Sequence, residues 1–278
     1  MENLEKRLRV IEFEFDHLRD RLVNGQLERW IPGIADKATH LSHINRYEWV
    51  SSFIEGATVL DLACGSGHGS ALLAGIGKAQ RVLGGDINTE AISYCLAKHY
   101  DLPNLSFQNL DCESFSKGLE ESIEALVSFE TVEHLRNPDE FFKEARKVLS
   151  PGASLFISTP ISKKRIDHNP SNRYHRIEWS CNEFIRLVQS HGFRVEIVMV
   201  QPFRTKLRKG LLGLFGRVIR KIRFSIAFRG RFADWQDHSI IPCKSRAEID
   251  WWQYLVSSGN VKAFLLIRAS KDEGMSFE

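Results

Sequence analysis

None of the five cysteines (Cys64, Cys95, Cys112, Cys181 and Cys243) forms a C-x-x-C pair with another, and their number is odd. That scatter predicts neither a disulfide framework nor a zinc knuckle, and it fits a reducing cytoplasm. No run of residues approaches the roughly 18 apolar positions that a spanning helix requires. The opening MENLEKRLRVIEFEF is charged throughout and has no apolar core of a secretory signal. Neither a secreted nor an integral membrane protein is expected. Internal repeats and low-complexity tracts are also missing. The 278 residues suffice for one α/β domain with insertions, or one domain with a small cap, and for a full buried core.

Acidic residues are absent from one stretch. From Arg204 to Arg231 there are ten Lys and Arg and no Asp or Glu. Since the net charge is +3, the remainder of the chain carries −7, so a basic segment sits on an acidic body.

What is present is alternation. TVLDLAC, RVLGGDI, LSFQNL, EALVSF, SLFIST, RVEIVMV and VKAFLLIRA read as seven strands, and helices begin near Ser70, Thr89, Pro138 and Ser180. The pattern predicts an α/β fold with a doubly wound, mostly parallel seven-stranded sheet. Asn137-Pro138 marks one helix start, Ser180 with Glu183 forms a capping box, and Gly192 ends that helix. Upstream, Leu4, Leu8, Ile11, Phe15, Leu18 and Leu22 follow steps of four and three, the a/d spacing of a helix with one apolar seam. Such a seam predicts either packing on its own domain or a short coiled coil joining two copies in a homodimer. The organisation is then an N-terminal helical region (1–50), a core (51–200), a basic amphipathic insertion or cap (201–260), and the last core strand with a tail (261–278). The loop from Pro160 to Trp179 and the insertion lie outside the alternation, and insertions of that size are usually functional.

VLDLACGSGHG ends the first strand and opens a helix, which brings backbone N–H groups and a helix N-terminus close to a ligand. Gly65, Gly67 and Gly69 run as G-x-G-x-G and lack the third glycine of a dinucleotide fingerprint. Asp86, ending the second strand, can accept both hydroxyls of a ribose, because an ionised carboxylate offers two oxygens. Asp111, after the third, can accept from an adenine amino group. Asp61, Asp86 and Asp111 are spaced by 25 residues each, one βα unit per step, at the strand ends where open parallel sheets bind ligands.

On these residues the chain resembles the class I S-adenosylmethionine (SAM)-dependent methyltransferases, from about Thr58 to Ser270. The resemblance implies a Rossmann-like methyltransferase fold carrying an N-terminal helix and a basic insertion before the last strand, with SAM as cofactor. It places Asp61, Gly65 and Gly67 at the methionine portion, Asp86 at the ribose and Asp111 at the adenine. Ala63, Ile87, Cys112 and Phe129 are further cofactor-binding positions, and Arg46 meets the SAM carboxylate. ERWIPG, HLSHINRYEWV, VSFETVEHL, RKVLSPGASLFISTP and NPSNRYHRIEWS narrow the resemblance to bacterial methyltransferases of cell-surface polysaccharide biosynthesis.

An alcohol is barely ionised at neutral pH, so an oxygen acceptor needs a base or a Lewis acid beside it. FETVEHL supplies Glu130, Glu133 and His134, which a helical turn beginning at Glu130 would gather on one face, with His175 joining from the later loop. The arrangement resembles the metal-dependent small-RNA 2′-O-methyltransferases and the ubiquinone-pathway O-methyltransferases. It implies a divalent cation (Mg, Mn or Zn) on Glu130, Glu133, His134 and His175. Without a metal, His134 is the expected general base, with Glu130 and His175 as the other catalytic candidates. The plain alternative is that Glu133 and His134 line a helix start and His175 is solvated. In the insertion, Leu207, Leu211, Leu214, Phe215, Val218 and Ile222 share a face largely opposite Lys209, Arg217, Arg220 and Lys221, the pattern of a helix lying on an anionic membrane. A cap over the active site competes with that reading, and nucleic acid is the least favoured partner. The combined expectation is a cytoplasmic enzyme, peripheral to the inner membrane face, that O-methylates a sugar hydroxyl of a glycan or glycolipid intermediate. A small-molecule quinone or phenol acceptor, an RNA 2′-hydroxyl, and a non-catalytic SAM-fold binding subunit are the alternatives.

Overall fold

Side chains that alternate along each strand decide which helices the sheet carries. Val59 and Asp61 face one side with Val82, Ala125, Val127 and Phe156, while Leu60, Leu62, Leu126, Leu155 and Ile157 face the other. The computed structural model describes residues 2–24, 29–119, 122–205, 239–259 and 261–272. Its strands are β1 (Thr58–Leu62), β2 (Arg81–Asp86), β3 (Leu105–Asn109), β4 (Ile123–Phe129), β5 (Leu149–Pro160), β6 (Ile166–Asp167), β7 (Glu178–Trp179), β8 (Phe193–Thr205), β9 (Ile241–Cys243) and β10 (Val261–Lys271). The helices are α1 (Glu2–Asn24), α2 (Lys37–Ser51), α3 (His68–Gly75), α4 (Thr89–Lys98), α5 (Pro138–Val148), α6 (Cys181–Ser190) and α7 (Arg246–Ser257).

The main sheet has the order β3-β2-β1-β4-β5-β10-β8-β9. β1 to β5 are mutually parallel, and β10 runs antiparallel between β5 and β8. All seven expected strands are present. The eighth, β9, pairs antiparallel with β8 at the edge, and β6 and β7 form a separate two-stranded ribbon. β9 and α7 fall inside the stretch assigned by sequence to the insertion. Trp252 and Leu255 of α7 are buried in the main core, so residues 239–259 belong to the domain rather than to a cap. The amphipathic stretch at 207–222 lies outside the described residues. Among the described residues no helix is long and apolar enough to cross a membrane.

Local chemistry explains the helix ends. The Ser180 hydroxyl accepts from the Glu183 amide at 3.4 Å, but the Glu183 carboxylate turns to Arg165 and Arg186 instead of closing the capping box. Asn137 makes no side-chain cap; its own amide donates to Glu113 Oε1 at 2.5 Å. Gly192 ends α6 with φ +72°, where a residue without Cβ is least strained.

α1 lies on α4, but not through its predicted seam. Val10 and Phe13 pack against Tyr94 and Cys95, the Phe13 and Tyr94 rings stacking at 4.4 Å. Glu14 Oε1 accepts from the Tyr94 hydroxyl at 3.0 Å and from Lys98 Nζ at 2.8 Å. The six seam residues stay exposed, from 40% at Leu18 to 77% at Leu22.

On the same face of the sheet a buried carboxylate ties three elements together. Asp61 of β1 is fully buried and accepts from the Ser70 hydroxyl of α3 at 2.6 Å and from the Tyr47 hydroxyl of α2 at 3.2 Å. Burial pushes its pKa up to about 6, against the pull of those two donors. Gly69 of α3 sits so close to the Tyr47 ring that an added methyl would overlap it. Gly69→Ala should therefore cost about 1–3 kcal/mol of stability, the usual penalty of overpacking, and a urea titration reads it directly. Asp61 generates a second expectation. Folded Asp61 holds its proton to about pH 6 while an unfolded aspartate releases it near 3.8, so the native state binds more protons in that window and stability from this group falls as pH rises through it. In Asp61→Asn that slope disappears. The unfolding free energy of the variant relative to wild type should rise by about 2 kcal/mol between pH 4 and pH 7, and a pH-independent difference would refute the assignment.

Candidate active site

Two residues other than glycine adopt left-handed backbone at adjacent strand ends: Ala63 after β1, φ +61°, and Glu130 after β4, φ +54°. Such strain persists where surrounding structure enforces it, and it clusters at functional sites. Here both residues line a cavity of about 510 Å³ at the carboxyl ends of the central parallel strands, the end at which open α/β sheets bind ligands.

Most of the residues expected around a cofactor converge on this cavity: Ala63, Gly65, Asp86, Ile87, Asp111, Cys112 and Phe129 all line it. Gly65 and Gly67 have φ of +58° and +71°. A Cβ on Gly67 would meet Cys95 Sγ and the Phe107 ring at 2.8 Å, so this glycine packs the turn tightly against α4 and β3. The Asp86 carboxylate accepts from the Gly65 amide at 2.9 Å through Oδ2 and from the Asn88 amide at 2.9 Å through Oδ1. It thereby braces the glycine turn, and lone pairs remain for two hydroxyl donors. Asp111 is exposed on the cavity wall and accepts from the Glu113 amide at 2.9 Å.

Two expected cofactor contacts are displaced. Asp61 does not reach the cavity surface; it acts one layer below, holding α2 and α3 to the turn. Arg46 is only 1% exposed and lies behind Glu130, not on the cavity wall. Its Nε donates to Gln201 Oε1 at 2.6 Å, its Nη1 pairs with Glu130 Oε1 at 3.2 Å, and the guanidinium covers the Phe264 ring at 4.1 Å. Beside Asp86 the wall carries Arg29 instead, whose Nη2 lies 3.6 Å from Asp86 Oδ1. Trp30, His43 and Tyr47 line the same wall and were missed by sequence reasoning. A signal existed in the helical spacing of His40, His43 and Tyr47. His40 Nδ1 accepts from the Trp30 indole at 3.1 Å, and Trp30 stacks on His43 at 5.1 Å.

At the other end of the cavity the expected four-residue cluster divides. The backbone twist at Glu130 and the 3-10 turn Val132–His134 replace the expected α-helical turn, so the i, i+3, i+4 face never forms. Glu130 points to Arg46 and accepts from the Ser158 hydroxyl at 2.9 Å. Burial raises its pKa and the Arg46 charge opposes that rise. Glu133, His134 and His175 do converge, with ligand atoms all within 4.8 Å of one another. Glu133 is fully buried; Oε2 accepts from the Thr159 hydroxyl at 3.2 Å, while Oε1 has no hydrogen-bond partner. Burial, and next the charge of Glu130, push its carboxyl well above the usual range.

The loop between β6 and β7 sets the histidines. His134 Nδ1 faces the Tyr174 carbonyl at 3.0 Å and must donate to it, leaving Nε2 as the lone-pair nitrogen. His175 Nδ1 donates to the Glu178 carboxylate at 2.7 Å, and its Nε2 accepts from the exposed Asn172 amide at 2.8 Å. The two rings meet edge-on at 4.8 Å. A carboxylate or carbonyl behind each imidazole, with the opposite nitrogen turned inward, is how proteins orient histidines for a metal. The orphaned Glu133 oxygen supplies a third donor, one that a cation would draw into its ionised form, so these residues fit a divalent ion.

Comparison with known proteins accords with this geometry. The family model described as "Methyltransferase domain" matches residues 54–193. A probable S-adenosylmethionine-dependent methyltransferase of Mycolicibacterium smegmatis is 29% identical over 175 residues, covering 61% of this chain and 65% of that protein. A ubiquinone biosynthesis O-methyltransferase of Paraburkholderia phytofirmans is 26% identical over 135 residues, covering 47% and 56%. The chain thus spans less than two thirds of the length of these curated relatives. Among solved structures, the YcgJ protein of Bacillus subtilis superposes with a TM-score of 0.53 at 15% identity, over 85% of this chain and all of that one, a likeness of fold. With the family model covering half of the chain and the glycine turn and both acidic strand ends gathered on one cavity, the chain belongs to the methyltransferase domain family.

Proposed function

We propose that this enzyme O-methylates one of two neighbouring hydroxyls on the sugar of a glycan or glycolipid intermediate, with a divalent cation held by Glu133, His134 and His175. The observation that carries this reading is the buried, unpartnered Glu133 Oε1 within reach of two oriented histidines. A charged or polar group is seldom left unpaired in an interior, because desolvation without a partner costs several kcal/mol. An Mg²⁺, Mn²⁺ or Zn²⁺ ion suits this mixed oxygen and nitrogen set, and when bound it lowers the pKa of a coordinated hydroxyl. The Asn172 amide is the contact that such an ion would replace at His175.

The protein's own residues orient and exclude. His134 lines the cavity that Asp86 and Asp111 share, so the cluster meets the cofactor space through that side chain. Arg136 and Arg176 line the same end and suit an acceptor bearing phosphate, as a lipid-linked glycan would. The basic segment from Arg204 to Arg231 would hold such an enzyme at an anionic membrane face, at about 1 kcal/mol per basic residue near the surface. A second reading, a phenolic or quinol acceptor, is favoured by the likeness to a ubiquinone biosynthesis O-methyltransferase. A catechol presents the same oxygen pair to the ion.

Metal removal separates a metal-assisted enzyme from one using His134 as general base. With glycolipid diols and catechols offered side by side, EDTA should abolish activity and Mg²⁺, Mn²⁺ or Zn²⁺ should restore it. Glu133→Gln should be as damaging as His134→Ala, on the order of 100-fold or more, the range seen when a catalytic group is lost. Titration of metal-free protein with Mn²⁺ should show one site in the wild type and none in Glu133→Gln. Full turnover after EDTA treatment, with only His134→Ala inactive, would leave the histidine base. The cofactor side is tested separately. Asp86→Ala should weaken SAM binding by about 2–3 kcal/mol in calorimetry, the strength of two charge-assisted hydrogen bonds, and unchanged affinity would remove Asp86 from the site.

A further inference from the structure

We propose that α1 joins two copies of this chain as a parallel two-stranded coiled coil. Leu4, Leu8, Ile11, Phe15, Leu18 and Leu22 make one continuous apolar stripe in which every member is at least 40% exposed. Single exposed apolar residues are ordinary on a protein surface, but a contiguous stripe of six over the length of one helix marks an interaction site. The helix is not unsupported. Its opposite side, through Lys6, Val10, Phe13, Glu14 and His17, is half-buried against α4 and the residues below the glycine turn. That contact lies about 140° round the helix from the seam, so the seam points away from the body and can be reached by a second chain.

An isolated helix of three heptads is marginal, because its formation has to offset the ordering of the chain. Here α1 is already helical and fixed on α4, so a partner meets a preorganised surface.

Charge chooses the partner and its direction. With Leu8, Phe15 and Leu22 at a and Leu4, Ile11 and Leu18 at d, the g positions hold Arg7, Glu14 and Arg21, and the e positions hold Glu5, Glu12 and Arg19. In a parallel pair each g residue faces the e residue five positions later in the other chain. Arg7 then meets Glu12 of the partner subunit, and Glu14 meets Arg19 of the partner subunit, each twice by symmetry. An antiparallel pair with full overlap would set Glu12 against Glu12, Glu14 against Glu14 and, twice, Arg7 against Arg21, with only Glu5 against Arg19 attractive. The helix is therefore complementary to itself in one orientation and, on balance, repulsive in the other. Within the single chain Arg19 bonds to Asp16, at 3.1 Å on the solvent side, and Glu14 to Lys98, so both are held near the seam.

Sedimentation equilibrium of the whole protein tests this. The expected species has twice the 31.9 kDa chain mass and dissociates on dilution. Phe15→Glu, at a residue 63% exposed in the single chain, should yield monomer with an unchanged unfolding midpoint and unchanged SAM affinity. Arg7→Glu should weaken the dimer about tenfold, since two opposite-charge pairs become like-charge pairs. Arg7→Glu combined with Glu12→Arg should restore it. A monomer at every concentration, or a dimer indifferent to Phe15→Glu, would overturn the proposal. Tightening by Arg7→Glu would overturn the parallel arrangement.

Discussion

An ionised carboxylate in an interior is tolerated only where donors surround it, and Asp61 meets that condition with two hydroxyls from two different helices. Ser70 lies in the first turn of α3, just beyond the glycine turn, and Tyr47 lies in α2, so the carboxylate fixes how the loop between β1 and α3 leaves the sheet. The positive φ at Ala63, the tight contact of Gly67 with Cys95 and Phe107, and the absence of a Cβ at Gly69 are consequences of holding that exit angle. Asp86 repeats the device at the cavity surface by accepting the Gly65 amide. The cofactor turn is thus clamped from beneath by one acid and from the side by another.

A parallel arrangement governs the far wall. Glu130, just after β4 on the cavity wall, is paired from behind by Arg46, which is itself anchored by Gln201 of β8 and the Phe264 ring of β10. The left-handed backbone at Glu130 and the 3-10 turn after it keep two carboxylates off the shared face that a helical turn would have given them. Arg46 neutralises Glu130, whereas Glu133 keeps an unpartnered oxygen beside two histidines. The same buried arginine that fails as a cofactor contact thereby sets the charge of the acceptor end.

The strands and the order of the helices were legible because period-two alternation and short β-branched runs survive any tertiary context. Asp86 and Asp111 were legible because a strand end followed by a turn leaves an acid little choice of position. Arg46 was not: nothing in its neighbours distinguishes an arginine meeting a ligand from one buried behind a glutamate, and Gln201, its partner, is 155 positions away. The grouping of Glu130, Glu133 and His134 failed for a local reason, since helical spacing was assumed where a left-handed residue and a 3-10 turn occur. His175 joined Glu133 and His134 as expected, yet the residues that orient it, Glu178 and Asn172, carried no spacing signal. In α1 the heptad marked a seam but could not say which face the body would take, because Val10 and Phe13 supply a second apolar face of equal reach.

Methyl transfer from a sulfonium asks for alignment more than for chemistry from the protein, and alignment is what this architecture supplies. Both positions rest on the ends of strands from one parallel sheet: the glycine turn on β1 and β2, the residues proposed to face the acceptor just after β4. β1 and β4 are hydrogen-bonded neighbours from Val59 to Asp61, so the distance between the two positions is set by a strand spacing of about 4.8 Å and not by loop packing. The ribbon of β6 and β7 brings His175 to Glu133, its backbone tied at Arg176 and Ile177 to the Glu133 carbonyl by bonds of 2.7 and 3.3 Å. A change of acceptor would require altering that ribbon while the clamp on the glycine turn stayed as it is.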